Sequence, residues 1–334
     1  MKKINVAING FGRIGRTFLR KVFLDEKINI VAINDLTAPA TLAHLLKYDS
    51  IHGKFPATIE AGENYIVVNN VKIQITAEKD PSLLPWNKLN VDVVLESTGK
   101  FTKEEDAKKH IIAGAKKVII SAPATGDIKS VVMGVNENIL DGSELVISNA
   151  SCTTNNAAPM IALLDKNFEI EDAYVTTVHA YTGDQNIHDG PHKDLRRSRA
   201  AAHSIIPTTT GAAKAIADVF PHLKGLIGGA GIRVPVIDGS LTDITCVVKK
   251  PATVEAINTI FKSASENELK GILEYTDEPI VSVDIIGNNH SCIFDSQLTS
   301  VLGRMVKVVG WYDNESGYST RLVDLIHYIT KQKN

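Results

Sequence analysis

Gly10-Phe11-Gly12-Arg13-Ile14-Gly15 follows the β-branched run Ile4 to Ile8 and opens the helix-spaced stretch Ile14 to Phe23. A second apolar run, Ile28 to Ile33, comes next, and Asp35 closes it, twenty residues beyond the third glycine. Three glycines alone say little. Between a strand and a helix, with the acidic residue in place, they predict a dinucleotide cradle. Gly10 permits the tight turn, Gly12 lets the backbone approach a pyrophosphate, and Gly15 lets helix pack on strand. The helix N-terminus stabilises the phosphate charge. Asp35 is expected to accept hydrogen bonds from the adenosine ribose hydroxyls; a 2′-phosphate there would meet like charge, so NAD is expected over NADP.

Working outward, this βαβ unit predicts an α/β fold with a Rossmann-type, doubly wound parallel sheet. Tyr65 to Val68 and Val71 to Ile75 flank Asn69-Asn70, a two-residue hairpin turn. Val91 to Glu96, Val118 to Ile120, Val131 to Met133 and Glu144 to Ser148 read as further strands. Thr102-Lys103-Glu104-Glu105 reads as a capping box starting a helix that ends near Gly114. Beyond Cys152 the strands lengthen, as in Ala173 to His179, Thr242 to Lys249 and Ile280 to Ile286, which predicts an α+β second domain with a largely antiparallel sheet. Tyr181 to Ser204 reads as a long ordered loop, Gly228-Gly229-Ala230-Gly231 as a flexible turn, and Tyr318 to Ile329 as an amphipathic helix.

A chain of 334 residues has room for two domains, each burying its own core. Hydrophobic content of 44% and a net charge of −2 carry no signal for nucleic acid or a membrane surface. Cys152, Cys246 and Cys292 are too few and too scattered for a disulfide framework or a zinc site, which suits a reducing compartment; no metal is expected. No signal or membrane-spanning stretch is read from the sequence.

One cysteine stands out. Ser151-Cys152-Thr153-Thr154-Asn155 lies between the strand Glu144 to Ser148 and residues at helical spacing (Ala157, Met160, Ile161, Leu164, Phe168), so Cys152 falls at a helix start. Unpaired N–H groups and the helix dipole there are expected to lower its pKa. The alternative is an inert buried thiol, against which the polar flanks argue. His179 ends a strand and is the candidate base. Arg196, Arg197, Arg199 and Arg233 offer guanidinium groups to phosphate, and Thr208-Thr209-Thr210-Gly211 opens a helix, Ala212 to Val219, whose N-terminus suits an anion.

The chain resembles the phosphorylating glyceraldehyde-3-phosphate dehydrogenase family from end to end. INGFGRIGR (Ile8 to Arg16), AINDL (Ala32 to Leu36), HLLKYDS (His44 to Ser50), SNASCTTN (Ser148 to Asn155) and HAYT (His179 to Thr182) carry the likeness. IIPTTTGAAKA (Ile205 to Ala215), RVP (Arg233 to Pro235) and WYDNE (Trp311 to Glu315) continue it. The resemblance implies that Cys152 is the nucleophile and His179 its base and later acid. It implies that Gly10, Gly12, Arg13, Ile14, Gly15, Asp35, Lys79, Ser121 and Asn314 line the NAD site, with Asn314 on the nicotinamide carboxamide. Ser151, Thr153, Thr210 and Gly211 are implied for the attacking inorganic phosphate. Thr182 and Arg233 are implied for the substrate's C3 phosphate, with Arg197 close to both.

It also implies a cofactor domain of residues 1–150 completed by the C-terminal helix 315–334, and a catalytic domain of 151–314. A cytoplasmic homotetramer of glycolysis is implied, turning glyceraldehyde 3-phosphate into 1,3-bisphosphoglycerate through a cysteine hemithioacetal and thioester. Asn156 stands where many relatives carry a second cysteine, and Gly190 where a bulkier apolar residue is common. The rival readings are erythrose-4-phosphate dehydrogenase, which usually lacks the Tyr-Thr and TTTGAAKA features present here, and a non-catalytic NAD-binding homologue.

Overall fold

Residues 3–331 are described by a computed structural model. Two units separate along the chain: Met1–Val131 with Asn138–Ala150 and Ser319–Asn334, and Val132–Glu137 with Ser151–Tyr318. The first unit runs β1 (Ile4–Asn9), α1 (Arg13–Val22), β2 (Ile28–Asn34), α2 (Pro39–Lys47), the short pair β3 (Tyr48–Asp49) and β4 (Gly53–Lys54), β5 (Ile59–Ala61), β6 (Tyr65–Val68) and β7 (Val71–Thr76). It continues with β8 (Val93–Glu96), α3 (Glu104–Ala107), α4 (Lys109–Ile112), β9 (Lys117–Ile120) and β10 (Val146–Ser148). The main sheet is ordered β10-β9-β8-β1-β2-β7-β6-β5. Pairs from β10 to β7 are parallel, and only the two hairpin partners at the far edge run antiparallel. Parallel strands covered on both faces need apolar residues at every position, and Val93, Val94 and Leu95 are accordingly all buried. Asn69 and Asn70 both take positive φ (42° and 67°), the turn the Asn-Asn pair predicts.

Two local expectations fail here. Thr102 does not cap: the helix N-cap is Lys103, without a side-chain bond, and the helix is split into α3 and α4. Thr102 is instead held through its carbonyl, which accepts from Thr125 N–H (3.0 Å). Val131 to Met133 is not a strand. Val131 N–H does reach Ser148 O, but Asn136 Oδ1 takes the Val132 N–H and Gly134 turns at φ 82°, so the pairing stops.

In the second unit the order is α5 (Cys152–Phe168), β11 (Ile170–Ala180), β12 (Ile206–Thr208), α6 (Ala212–Val219), β13 (Ile227–Val234), β14 (Ser240–Val248) and α7 (Val254–Glu266). Then come β15 (Leu273–Thr276), β16 (Cys292–Asp295), β17 (Ser300–Leu302), β18 (Met305–Tyr312) and α8 (Ser316–Lys331), which passes into the first unit at Ser319. The sheet is ordered β12-β13-β11-β14-β18-β16-β15, and only β11–β13 and β15–β16 pair in parallel. One apolar face of α5 (Met160, Ile161, Leu164) shares a core with Val175, Ile244 and Val308.

Gly228 to Gly231 are strand residues in β13, not a flexible turn. They pair with Tyr174 to Thr177 of β11, and a Cβ at Gly228 would stand 2.8 Å from the Tyr174 ring. Glycine here makes room for a neighbour, which composition alone reads as looseness. Ile280 to Ile286 also differs: Ser282–Ile285 is a 3₁₀ turn, with Asp284 accepting from Val281 N–H. Val281 and Val283 are exposed there while Ile285 is buried. Among the described residues, no helix is long and apolar enough to cross a membrane.

Candidate active site

The glycine loop of the first unit has the shape of a dinucleotide cradle. Gly10 turns at φ 90°, and a Cβ on it would lie 2.7 Å from Thr98 N; one on Gly15 would lie 2.4 Å from Gly10 O. Gly12 faces open space and caps α1 without a side-chain bond, so backbone can approach a ligand where the helix starts. These features fit a pyrophosphate. Asp35 accepts from Phe11 N–H (2.8 Å) and Thr37 N–H (2.9 Å), which anchors the carboxylate at the end of β2. Arg13 turns its guanidinium to Asp49 (2.7 Å), leaving its backbone at the helix start as the part facing a ligand. Ile14 lies in the same first turn; Ser121 N–H bonds Glu96 O (2.9 Å), and Lys79 is exposed.

A buried network that the sequence does not announce braces this loop. Glu96, 1% exposed, accepts from Asn9 Nδ2 (2.5 Å), Thr98 N–H (2.8 Å), the Thr98 hydroxyl and His110 Nε2 (3.0 Å). Trp86 Nε1 can only donate, and it lies 3.0 Å from His110 Nδ1, so the His110 proton sits on Nε2 and points at the carboxylate. The ends of β1 and β8 and the Thr98 backbone that Gly10 packs on are thereby tied together.

In the second unit, Ser151 caps α5, its hydroxyl accepting Thr154 N–H (3.0 Å), and Cys152 is the first helical residue. Its Sγ lies 3.5 Å from His179 Nε2. Cys152 as a residue is half-buried and His179 is buried. Burial outweighs the helix start and Arg233 and pushes the Cys152 thiol up, against the expectation of a lowered value. Burial, then Arg233, takes His179 down to about 3. Each ion is thus opposed when formed alone. The 3.5 Å approach places Nε2 where it can accept the proton from Sγ.

Two groups contend for His179 Nδ1: Ala180 O at 2.7 Å, which needs a proton there, and Arg233 Nη1 at 2.8 Å, which needs a lone pair. Arg233 also donates to Ala180 O (3.0 Å) and Thr182 Oγ1 (3.4 Å). Thr182 in turn donates to Asp184, whose other oxygen accepts from Arg197 Nη1 (2.7 Å). Arg233, Thr182 and Arg197 are therefore gathered by one carboxylate that sequence reasoning overlooked, although Asp184 sits two residues after Thr182. Arg199 is drawn away to Asp189 (2.9 Å), and Arg196 makes its recorded bond to Asp194 through its backbone, so neither joins this set. Arg197 Nε holds Thr208 (3.0 Å), which donates to Asp194 (2.6 Å). Thr210 Oγ1 accepts from Ala212 N–H (3.2 Å), and Gly211 opens α6 with free space where a Cβ would be. Thr153 is buried and bonds Tyr312 (2.9 Å); Tyr312 also bonds Thr177 (2.9 Å) and packs edge-on against His179.

A thiol at a helix start, facing an imidazole beside an arginine-containing cluster, matches a family model in the same region. The model for the glyceraldehyde 3-phosphate dehydrogenase C-terminal domain covers residues 151–314, and that for its NAD binding domain covers 4–104. The chain belongs to the glyceraldehyde-3-phosphate dehydrogenase family. A glyceraldehyde-3-phosphate dehydrogenase of Mycobacterium avium is 56% identical over 335 residues, covering 98% of this chain and 99% of that one. Another, of Geobacillus stearothermophilus, is 54% identical over 331 residues at the same coverage. Family membership bears out the expected fold class and NAD as cofactor.

Proposed function

We propose how the residues of this chain carry out the family's reaction, the NAD-dependent, phosphorylating oxidation of glyceraldehyde 3-phosphate in glycolysis. The observation that supports it most is the 3.5 Å approach of Cys152 Sγ to His179 Nε2, with Arg233 beside the imidazole. The substrate's phosphate draws Arg233 and Thr182 to itself. Nδ1 then donates to Ala180 O and leaves Nε2 as the acceptor facing the sulfur. Cys152 passes its proton to Nε2 and attacks the aldehyde carbon, and the oxyanion of the hemithioacetal takes hydrogen bonds from the Cys152 N–H and Nε2–H.

His179 hands that proton to the oxyanion, giving the neutral hemithioacetal, and then takes it back from the hydroxyl as hydride leaves the carbon and the carbonyl of a thioester forms. NAD, when bound, supplies the hydride acceptor. Gly10, Gly12, Gly15, Arg13 and Ile14 would hold its pyrophosphate, Asp35 its adenosine ribose and Asn314 its carboxamide, with Lys79 and Ser121 also lining the site. Inorganic phosphate, held by Ser151, Thr153, Thr210, Gly211 and Arg197, attacks the thioester carbon. The thiolate leaves, and the acyl phosphate departs as 1,3-bisphosphoglycerate. Residues 1–150 with the C-terminal helix 315–334 act as cofactor domain and 151–314 as catalytic domain, in a cytoplasmic homotetramer.

The test compares glyceraldehyde 3-phosphate with erythrose 4-phosphate, each with NAD and with NADP, with and without phosphate. NADH should form from glyceraldehyde 3-phosphate with NAD and phosphate, and Cys152→Ser should abolish it. Preference for erythrose 4-phosphate would overturn the assignment.

A further inference from the structure

Ser240 opens β14 and is 1% exposed, so its hydroxyl must find protein partners. It has two. Oγ accepts the Ala180 N–H (3.1 Å) and donates to Asn314 Oδ1 (2.8 Å). The direction is forced at one end, because a backbone N–H can only donate; the hydroxyl proton is then free for an acceptor, and the amide oxygen takes it. The Asn314 amide accordingly sits with Oδ1 toward Ser240 and Nδ2 turned away. Asn314 itself is 6% exposed, and Ser240 lies directly across the sheet from Tyr312, two residues before it. At the other end of the relay, Ala180 O is the group that Arg233 and His179 Nδ1 both face. One residue, Ala180, thus joins the base, Arg233 and, through a single hydroxyl, Asn314.

We propose that Ser240 is a positioning residue, holding Asn314 with its NH₂ presented as a donor to a carbonyl oxygen, the carboxamide oxygen of the nicotinamide. The proposal rests on reading Asn314 as the nicotinamide partner. With the hydroxyl gone, the amide has no reason to keep one face outward, and the buried Ala180 N–H loses its acceptor. Affinity for the nicotinamide half falls while affinity for the adenosine half stays.

Calorimetry on the full chain separates these, using NAD and ADP-ribose, which lacks the nicotinamide. Ser240→Ala is expected to weaken NAD about five- to tenfold, the worth of one hydrogen bond, and to leave ADP-ribose within about twofold. In an Asn314→Ala background it should add nothing, since the hydroxyl acts through that amide. Should Ser240→Ala fail to fold, Ser240→Cys keeps the size and loses most of the bond, with the same expectations. Parallel loss of ADP-ribose binding would mean a merely structural serine and overturn the proposal, as would a further loss of NAD binding in the double variant. If Asn314→Ala binds NAD like the parent, the reading of Asn314 falls and takes the proposal with it. If Asn314→Ala weakens NAD and Ser240 contributes independently, only the proposal falls.

Discussion

At Cys152 and His179 two ionisations are each opposed by burial, with thiol and imidazole 3.5 Å apart. Remove the imidazole, and the thiol keeps the burial that pushes it up while losing the acceptor 3.5 Å away. His179→Asn should therefore alkylate slowly at pH 7, by up to about tenfold per unit of rise in the thiol's pKa. Its rate should climb only as pH passes above the ordinary thiol range, because a raised pKa postpones the thiolate to higher pH. The check is the rate of iodoacetamide labelling against pH, parent beside variant. Equal rates at pH 7 would show that the imidazole does not take the proton. Both residues could be read from the sequence, one by its helix-start setting and the other by its strand end. The sense of their pKa shifts could not, because it depends on how deep the fold sets them and on Arg233 lying across from Nδ1.

Between elements, Tyr312 at the end of β18 links the first turn of α5 to β11. Its hydroxyl lies 2.9 Å from both Thr153 and Thr177 and can donate to only one while accepting from the other, and its ring borders the His179 imidazole. Tyr312→Phe keeps the ring and breaks the link. It should cost about 1 kcal/mol of stability and lower kcat several-fold, with little change in KM for NAD. Thermal unfolding and steady-state kinetics read both; a parental kcat would mean that ring packing alone sets the distance between nucleophile and base. Elements with one dominant signal were legible in the sequence: β1, α1 and β2 around the glycine loop, the Asn69-Asn70 hairpin, and α5 from Ser151 onward. The strand β13 was not, since Gly228 is there to make room for Tyr174 on the neighbouring strand, and the Val281 to Ile285 turn was not, since alternation does not report exposure. Asp184, Ser240, Tyr312 and Glu96 escaped for a shared reason. Each acts by closing a hydrogen bond to a residue distant in sequence or by uniting several, and spacing carries no trace of that.

For the molecule as a whole, the segment between β11 and β12 raises the question of assembly. It is internally fastened, with Asn186 Nδ2 donating to Gly190 O (2.8 Å) and Asp189 accepting Ala200 N–H (3.0 Å) and Arg199 Nε. Yet Ile187, Leu195 and Ile205 stand 76%, 80% and 70% exposed in and beside it. These internal bonds do not cover the three side chains, and leaving them in water forgoes about 1.5–3 kcal/mol each. A neighbouring chain covering them accounts for both the order and the exposure, in keeping with the proposed homotetramer. Light scattering should then give four times the mass of one chain. Ile187→Asp with Leu195→Asp should lower that mass, because burying two carboxylates in an apolar contact costs more than the contact returns. Retained NAD binding in the variant would show that the fold survives. A parental mass of one chain would remove the tetramer, and an unchanged fourfold mass in the variant would remove this loop from its interface.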